Sequence, residues 1–348
     1  MNRTDEIDLP ADWEDDSAPD PTSKRRGRVA LIALLVALAL VIAVGVVVGG
    51  YLNSLRTSAN QITTVEITRG ASDGERPVAE EGTGHNYLLL GSDKRSEEED
   101  DSQVTGQRSD VMMLVHVNDD ATEVYVMSFP RDLWVEIPGH GEGRINAALA
   151  YGGLPLAVTT VENYTGVPID HVALIDFDGI EGLVDTLGGI EVDVPIGFSA
   201  GGHTFTEGPQ QMDGEQALAY VRERKQFAEG DIQRNRNQQA VLRAIVVKLI
   251  SRDTLTDPNT LRSTVDAIAP YMTTDDGLGT GRMVELGLSL RSIRADDLYF
   301  MSVPYGAPFT TSGGAAVIGT DEEKMDELRE ALRTDETGTY YAQNAGTY

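Results

Sequence analysis

The chain has 348 residues and no cysteine, and its 56 acidic side chains outnumber its 28 basic ones, for a formal net charge of −28. Disulfides, thiol catalysis and cysteine-based zinc sites are thereby excluded. The acidic balance argues against a nucleic-acid partner, whose phosphates demand a basic surface.

Residues 1–28 begin with a stretch rich in Asp, Glu and Pro that reads as a disordered tail, and end in the basic cluster Lys24–Arg28. From Val29 the chain is apolar or small without a break to Val48, and Gly49–Leu52 prolong the run. As a helix, about 24 residues reach roughly 36 Å, enough for a hydrocarbon core of about 30 Å. A cleaved signal peptide would carry a shorter apolar region, about 7–15 residues, and a small-residue cleavage site. A retained transmembrane helix over 29–52 is the preferred reading. The basic cluster before it places the N-terminus in the cytoplasm and the remainder outside, as a single-pass protein of the cell membrane. Residues 53–84 are polar and read as an extracellular stalk or linker.

A folded domain is expected over 85–333. Strands are predicted at Asn86–Gly91, Val111–Val117, Glu123–Phe129, Leu133–Ile137, Ile169–Asp176, Ile190–Val194, Leu298–Val303 and Ala315–Ile318. Helices are predicted at Arg144–Tyr151, Pro155–Thr165, Phe177–Leu187, Gly214–Tyr220, Asn235–Ser251, Asn259–Tyr271, Gly281–Arg291 and Thr320–Leu332. Their alternation predicts a layered α/β domain. No repeat and no internal linker divides it. The first three strands carry bulky residues on both faces, as a sheet covered on both sides does; a lipid-lined cavity would leave the same pattern. Residues 334–348 read as a frayed polar tail.

Charged residues flank the apolar strands. Asp93 follows the first, Arg108 and Asp110 precede the second, and Arg131 and Asp132 follow the third. If the first two strands pair antiparallel, Asp93 and Asp110 converge. Two adjoining carboxylates repel unless a cation separates them, and a hard divalent ion such as Mg²⁺ suits oxygen ligands and substrate phosphates. The alternative is that both are turn and strand-end residues. Arg131 follows Pro130, which aims it from a fixed backbone; the alternative is an ion pair with Asp132 or another nearby acid.

The stretch Asp213–Arg252 concentrates arginines in an otherwise acidic protein. Gly214–Tyr220 reads as a helix passing into an extended piece, Val221–Lys225, with Arg222 and Arg224 on one side. Gly230-Asp231 reads as a helix start with Asp231 as N-cap. Arg234 and Gln238 then share a face near the positive end of that helix. Together these groups suit an oxyanion or pyrophosphate. A solvated face of ion pairs with Glu215, Glu223, Glu229 and Asp231 is the alternative. The sequence lacks a phosphate-binding P-loop, H-E-x-x-H and G-x-S-x-G, and its five histidines are scattered.

Seven segments in order resemble the LytR–CpsA–Psr family of bacterial envelope proteins. They are LLLGSDKR (Leu88–Arg95), QRSDVMMLV (Gln107–Val115), VMSFPRDLWVEIPG (Val126–Gly139), RINAALAYGG (Arg144–Gly153), DTLGGIEVDVP (Asp185–Pro195), GEQALAYVRER (Gly214–Arg224) and GDIQRNRNQQ (Gly230–Gln239). The resemblance implies an α–β–α sandwich around a mixed central sheet, preceded by one transmembrane helix, with 85–333 as an extracellular catalytic domain and an apolar cavity for a polyprenyl tail. It implies an enzyme that moves a glycopolymer, such as a wall teichoic acid, from a polyprenyl-pyrophosphate carrier onto peptidoglycan. By position, Asp93 and Asp110 correspond to carboxylates associated with Mg²⁺, with Mn²⁺ as the alternative ion. Arg108, Arg131, Arg222, Arg224, Arg234 and Gln238 correspond to pyrophosphate contacts. Arg131, Asp132, Arg222 and Arg224 are the residues expected to carry catalysis. Many members have Arg where this chain has Asn237, while others share the Asn, and Asn237 is left outside the expected site. The competing readings are a polyprenyl-pyrophosphate hydrolase and a non-catalytic lipid-binding or regulatory envelope protein.

Overall fold

The structure is a computed structural model and describes residues 62–68, 74–80, 82–92, 109–176, 178–223, 230–249, 258–279, 282, 286 and 289–344. The chain divides into two units, Met1–Asn53 and Ser54–Tyr348. The apolar run 29–52 lies outside the described residues. Among the described residues no helix is long and apolar enough to cross a membrane.

In chain order the elements are β1 (Thr63–Val65), β2 (His85–Ser92), β3 (Ser109–Val117), β4 (Val124–Ser128), β5 (Trp134–Ile137), β6 (Gly141–Arg144) and α1 (Ala147–Thr165). Then come β7 (His171–Asp176), α2 (Asp178–Thr186), β8 (Ile190–Val194), β9 (Phe198–Ala200), β10 (His203–Phe205), β11 (Gly208–Met212) and α3 (Gly214–Arg222). The chain continues with α4 (Gly230–Leu249), α5 (Pro258–Ile268), β12 (Met272–Asp275), β13 (Leu298–Ser302), β14 (Tyr305–Thr310), β15 (Ala316–Thr320), α6 (Glu322–Arg333) and α7 (Thr337–Asn344).

Seven strands form the central sheet in the order β1-β12-β7-β2-β3-β4-β13. It is mixed: β2 runs parallel to β7 and antiparallel to β3, and β13 runs parallel to β4. Alternation along β2 serves two cores. Leu88 and Leu90 join the cluster formed with α1 and α6, while Tyr87 and Leu89 pack against the cluster of α2, α3 and α4. The expected α–β–α layering follows from this two-sided burial.

α1 replaces the two helices expected at Arg144–Tyr151 and Pro155–Thr165. It is kinked at Gly152 and at Gly153, whose φ of +64° and ψ of −159° only glycine adopts readily. Its start moves to Ala147 because Gly141–Arg144 pair with β5 as a hairpin.

Three polar stretches are more structured than their sequence suggests. Within the expected stalk, Thr63–Val65 pair parallel with β12, and Arg76 forms an ion pair with the buried Glu162 at 2.9 Å and donates to the Ile169 carbonyl. Met272–Asp275 form a strand because they pair with β7, and Asp275 accepts the Val172 backbone N–H. The expected tail contains α7, where Thr337 and Tyr340 are buried and the Tyr341 ring lies 5.0 Å from that of Tyr299.

His116, fully buried in β3, ties this C-terminal piece to the sheet. Its Nδ1 is 2.9 Å from Asn86 Oδ1 and its Nε2 is 3.4 Å from Asp335 Oδ1, at the turn between α6 and α7. Burial lowers the imidazole pKa and outweighs the opposing pull of Asp335. A folded-state pKa below the ordinary 6.5 means that the unfolded chain takes up the proton first. Stability is therefore expected to be full above pH 6.5 and to fall as the pH drops below it. Thermal midpoints measured from pH 8 to 5.5 should show this decline, and His116→Gln should flatten it; an unchanged slope would remove His116 as its source.

Candidate active site

Strands β2, β4, β7 and β13 end, and β3 begins, along one edge of the sheet. Ser92 sits at its middle. It pairs with Ser109 across β3 and with Asp176 across β7, after a register shift between Gly91 and Ser92. The antiparallel pairing on which the convergence of Asp93 and Asp110 depends is therefore present. Asp93 and Arg108 lie outside the described residues; Asp110 is described as a position in β3, without its side chain. Asp176, which the sequence did not single out, is a buried carboxylate in the same row.

The chain leaves β4 through Pro130-Arg131-Asp132. The Leu133 N–H donates to the Pro130 carbonyl at 2.9 Å, Leu133 is fully buried, and the Ile318 N–H donates to the Asp132 carbonyl at 3.0 Å. This backbone is thus held from both sides. Arg131 Nε lies 3.7 Å from Asp132 Oδ2, the ion pair that the sequence offers as the alternative reading of Arg131. The other carboxylate oxygen, Oδ1, is 3.0 Å from Arg144 Nε. Arg144 Nη2 also donates to the Ala316 carbonyl at 3.0 Å. Arg144 was not among the expected site residues. Its signal is the hairpin: pairing of Trp134 with Arg144 brings it back beside Asp132.

α3 begins with a capping box, in which the Asp213 carboxylate accepts from the Gln216 N–H and the Gln216 side chain accepts from the Asp213 N–H. Ala217, Tyr220 and Val221, spaced i, i+3 and i+4, bury one face and carry the helix to Arg222. The extended segment expected from Val221 accordingly begins only at Glu223, so Arg222 occupies the last helical turn, where a cation is favoured by the helix dipole. Arg222 is exposed. Arg224 lies outside the described residues. Burial pushes the Tyr220 hydroxyl up to about 12, with the Asp193 carboxylate adding to the shift, so it stays neutral.

α4 starts at Gly230, which puts Asp231 inside the helix rather than at its cap. Arg234 is described as a helical position without its side chain. Gln238 is buried and donates to the Val221 carbonyl at 3.4 Å, joining α4 to the end of α3 one residue from Arg222. Asn237, left out of the expected site, is buried as well.

A cavity of about 990 Å³ runs between α4, the β8–β11 pair and the outer strands of the sheet. Met113, Val126, Val247 and Phe300 line it, with Ala240 and Ala244 leaving room on the helix side. It reaches Ser128 and Ser302, the last residues of β4 and β13, and Arg236 and Lys248 also border it. The Arg243 guanidinium lies 4.5 Å from the centre of the Phe300 ring. The same edge of the sheet thus carries the Asp132-linked arginines and one end of a partly apolar cavity.

The LytR_cpsA_psr family profile matches residues 51–334. The chain belongs to the LytR–CpsA–Psr family. A relative from Enterococcus faecalis, named polyisoprenyl-teichoic acid–peptidoglycan teichoic acid transferase TagU, is 34% identical over 71% of this chain and 78% of its own length. A relative of the same name from Halalkalibacterium halodurans is 31% identical over 79% of this chain and 93% of its own. Among solved structures, Bacillus subtilis TagV superposes with a TM-score of 0.61 at 26% identity, covering 74% of this chain and 99% of TagV. A structure described as TagT bound to LI-WTA gives 0.59 at 28%, covering 78% and 98%. The chain is thus a transferase of the LytR–CpsA–Psr family, built on the mixed α/β fold of these structures.

Asp132 and its two arginine partners are partly exposed, so their pairing contributes little to folding, about 1 kcal/mol or less. Asp132→Ala is expected to move the thermal midpoint by no more than a few degrees. A large drop would make the trio a structural clamp.

Proposed function

We propose that the protein is a membrane-anchored transferase acting on the outer face of the cell membrane. It moves a glycopolymer from a polyprenyl-pyrophosphate carrier onto peptidoglycan. The names of its relatives support a polyisoprenyl-linked teichoic acid as donor class and peptidoglycan as acceptor. The observation that carries the reading is a partly apolar cavity that reaches Ser128, at the end of the strand from which the chain passes to Arg131 and Asp132, as an apolar tail on a dianionic head requires. The run 29–52 serves as the single membrane anchor in this reading.

Arg108, Arg131, Arg222, Arg224, Arg234 and Gln238 bind the pyrophosphate. A hydroxyl of the peptidoglycan glycan attacks the phosphorus that bears the sugar, the bond from that phosphorus to the bridging oxygen breaks, and polyprenyl phosphate leaves with the electron pair. Arg131, Arg222 and Arg224 neutralise charge that builds on the transferring and leaving oxygens, the main source of rate in such reactions. Asp132 holds Arg131 and Arg144 in register through its two oxygens. Asp93 and Asp110 would hold Mg²⁺, or Mn²⁺; Asp110 lies in β3 next to Ser109, which pairs with Ser92 at the end of β2, and carboxylate oxygens suit a hard cation. When bound, the ion supplies further neutralisation of phosphate charge.

The test uses the full chain in detergent with a synthetic polyprenyl-pyrophosphate glycan, peptidoglycan oligomers and Mg²⁺. Release of polyprenyl phosphate should require the acceptor and stop with EDTA. Arg131→Ala should slow it by about 10²–10³ while the thermal midpoint stays nearly unchanged. Acceptor-independent release would point to hydrolysis, and tight lipid binding without release to a carrier or regulator. Ala240→Trp should narrow the cavity and weaken binding of long-chain donors about tenfold relative to short-chain ones; equal effects on both would sever the cavity from the lipid tail.

A further inference from the structure

Three neighbouring amides of α4 are buried: Gln233 is 5% exposed, Asn237 1% and Gln238 3%. Buried amides are normally fully paired, because each unpaired group keeps its desolvation penalty. Here the pairing is incomplete in a specific way. Gln233 Nε2 donates to Asn237 Oδ1 at 3.0 Å, which fixes the Asn237 amide and leaves its Nδ2 as the end that faces away. Asn237 Nδ2 is buried and has no hydrogen-bond partner. The Gln238 amide is committed the other way: Nε2 donates to the Val221 carbonyl, and the buried atom without a partner is the acceptor Oε1.

A phosphate oxygen only accepts hydrogen bonds, so it meets a donor and is repelled by a carbonyl oxygen. Of the two adjacent amides, Asn237 has both N–H groups of its nitrogen uncommitted, whereas Gln238 Nε2 already spends one of its two on the Val221 carbonyl. Asn237 lies three residues along α4 from Arg234. Its neighbour Gln238 contacts Val221, the residue before Arg222. On the helix, Gln233, Asn237, Val241 and Ile245 recur every four residues, and Val241 and Ile245 pack in one cluster with Val111 and Met113 of β3. The amide pair thus extends the sheet-facing stripe of α4.

We infer that Asn237 is a substrate-positioning residue whose Nδ2 donates to a phosphate oxygen of the donor lipid, with Gln233 orienting the amide. This rests on the pyrophosphate-lipid reading of the site. A phosphate oxygen of the bound lipid then takes the hydrogen bond that Asn237 Nδ2 does not make within the chain.

The probes are farnesyl pyrophosphate and farnesol, titrated into the full chain in detergent. Asn237→Asp keeps the acceptor for Gln233, preserves shape and replaces the donor with an acceptor. It is expected to weaken farnesyl pyrophosphate by about 30-fold or more and Asn237→Ala by about tenfold, with farnesol affinity unchanged in both. If the wild-type protein does not prefer farnesyl pyrophosphate over farnesol, the functional reading itself fails. If it does, and Asn237→Asp keeps that preference, the inference about Asn237 fails alone. Equal loss of both probes together with a lower thermal midpoint would also overturn it, leaving Asn237 as a structural amide.

Discussion

The register of β2 governs the rest of the molecule. This strand is bonded in opposite senses to its two neighbours, parallel to β7 and antiparallel to β3, and it is covered on both faces. A slip by one residue would exchange Leu88 and Leu90 with Tyr87 and Leu89 between the two cores, which differ in shape and in the helices that fill them. The same register sets Ser92 between Ser109 and Asp176, so the packing that makes the fold unique also aligns the strand ends that carry the chemistry.

Around that edge the protein relies on backbone pinning. Asp132 is anchored through its own carbonyl to Ile318, and Arg144 reaches the Ala316 carbonyl, so the β14–β15 hairpin braces the aspartate and one of its two arginine partners. α3 and α4 are joined through Gln238 and the Val221 carbonyl in the same manner. Cations set on such supports keep their positions when a dianion arrives, and little ordering cost remains to be met on binding.

The sequence revealed most where apolar side chains dictate structure. β2, β3, β4, β7 and β8 were legible as bulky runs, and the mixed sandwich followed. β1, β12 and β14 were not, because short polar segments such as Thr63–Val65 and Met272–Asp275 become strands through their partners rather than through their own propensity. α7 was hidden for a related reason: its burial depends on Tyr340 entering the core and on Tyr341 meeting the rings of Tyr125 and Tyr299, on a distant part of the chain. At the site, Arg131 beside Asp132 was readable from two adjacent letters, whereas Arg144 required the hairpin register and the burial of Asn237 left no trace among the Gln, Asn and Arg of its surroundings. The end of α3 was misplaced because the spacing of Ala217, Tyr220 and Val221 sustains the helix past the point where the arginines suggested an extended chain.

The two glycines in α1 have a mechanical consequence. They turn one long helix into a jointed rod, with a short arm and a long one. The long arm is fixed to the sheet by Leu154, Ala157 and Val161. The short arm, Ala147–Tyr151, goes with the β5–β6 hairpin, to which it is joined by the stacking of Tyr151 on His140 at 4.7 Å between ring centres. Arg144 belongs to that hairpin assembly. The non-helical backbone at Gly152 and Gly153 sets the direction of the short arm apart from that of the long one, so the hairpin that carries Arg144 is angled independently of the rest of the helix.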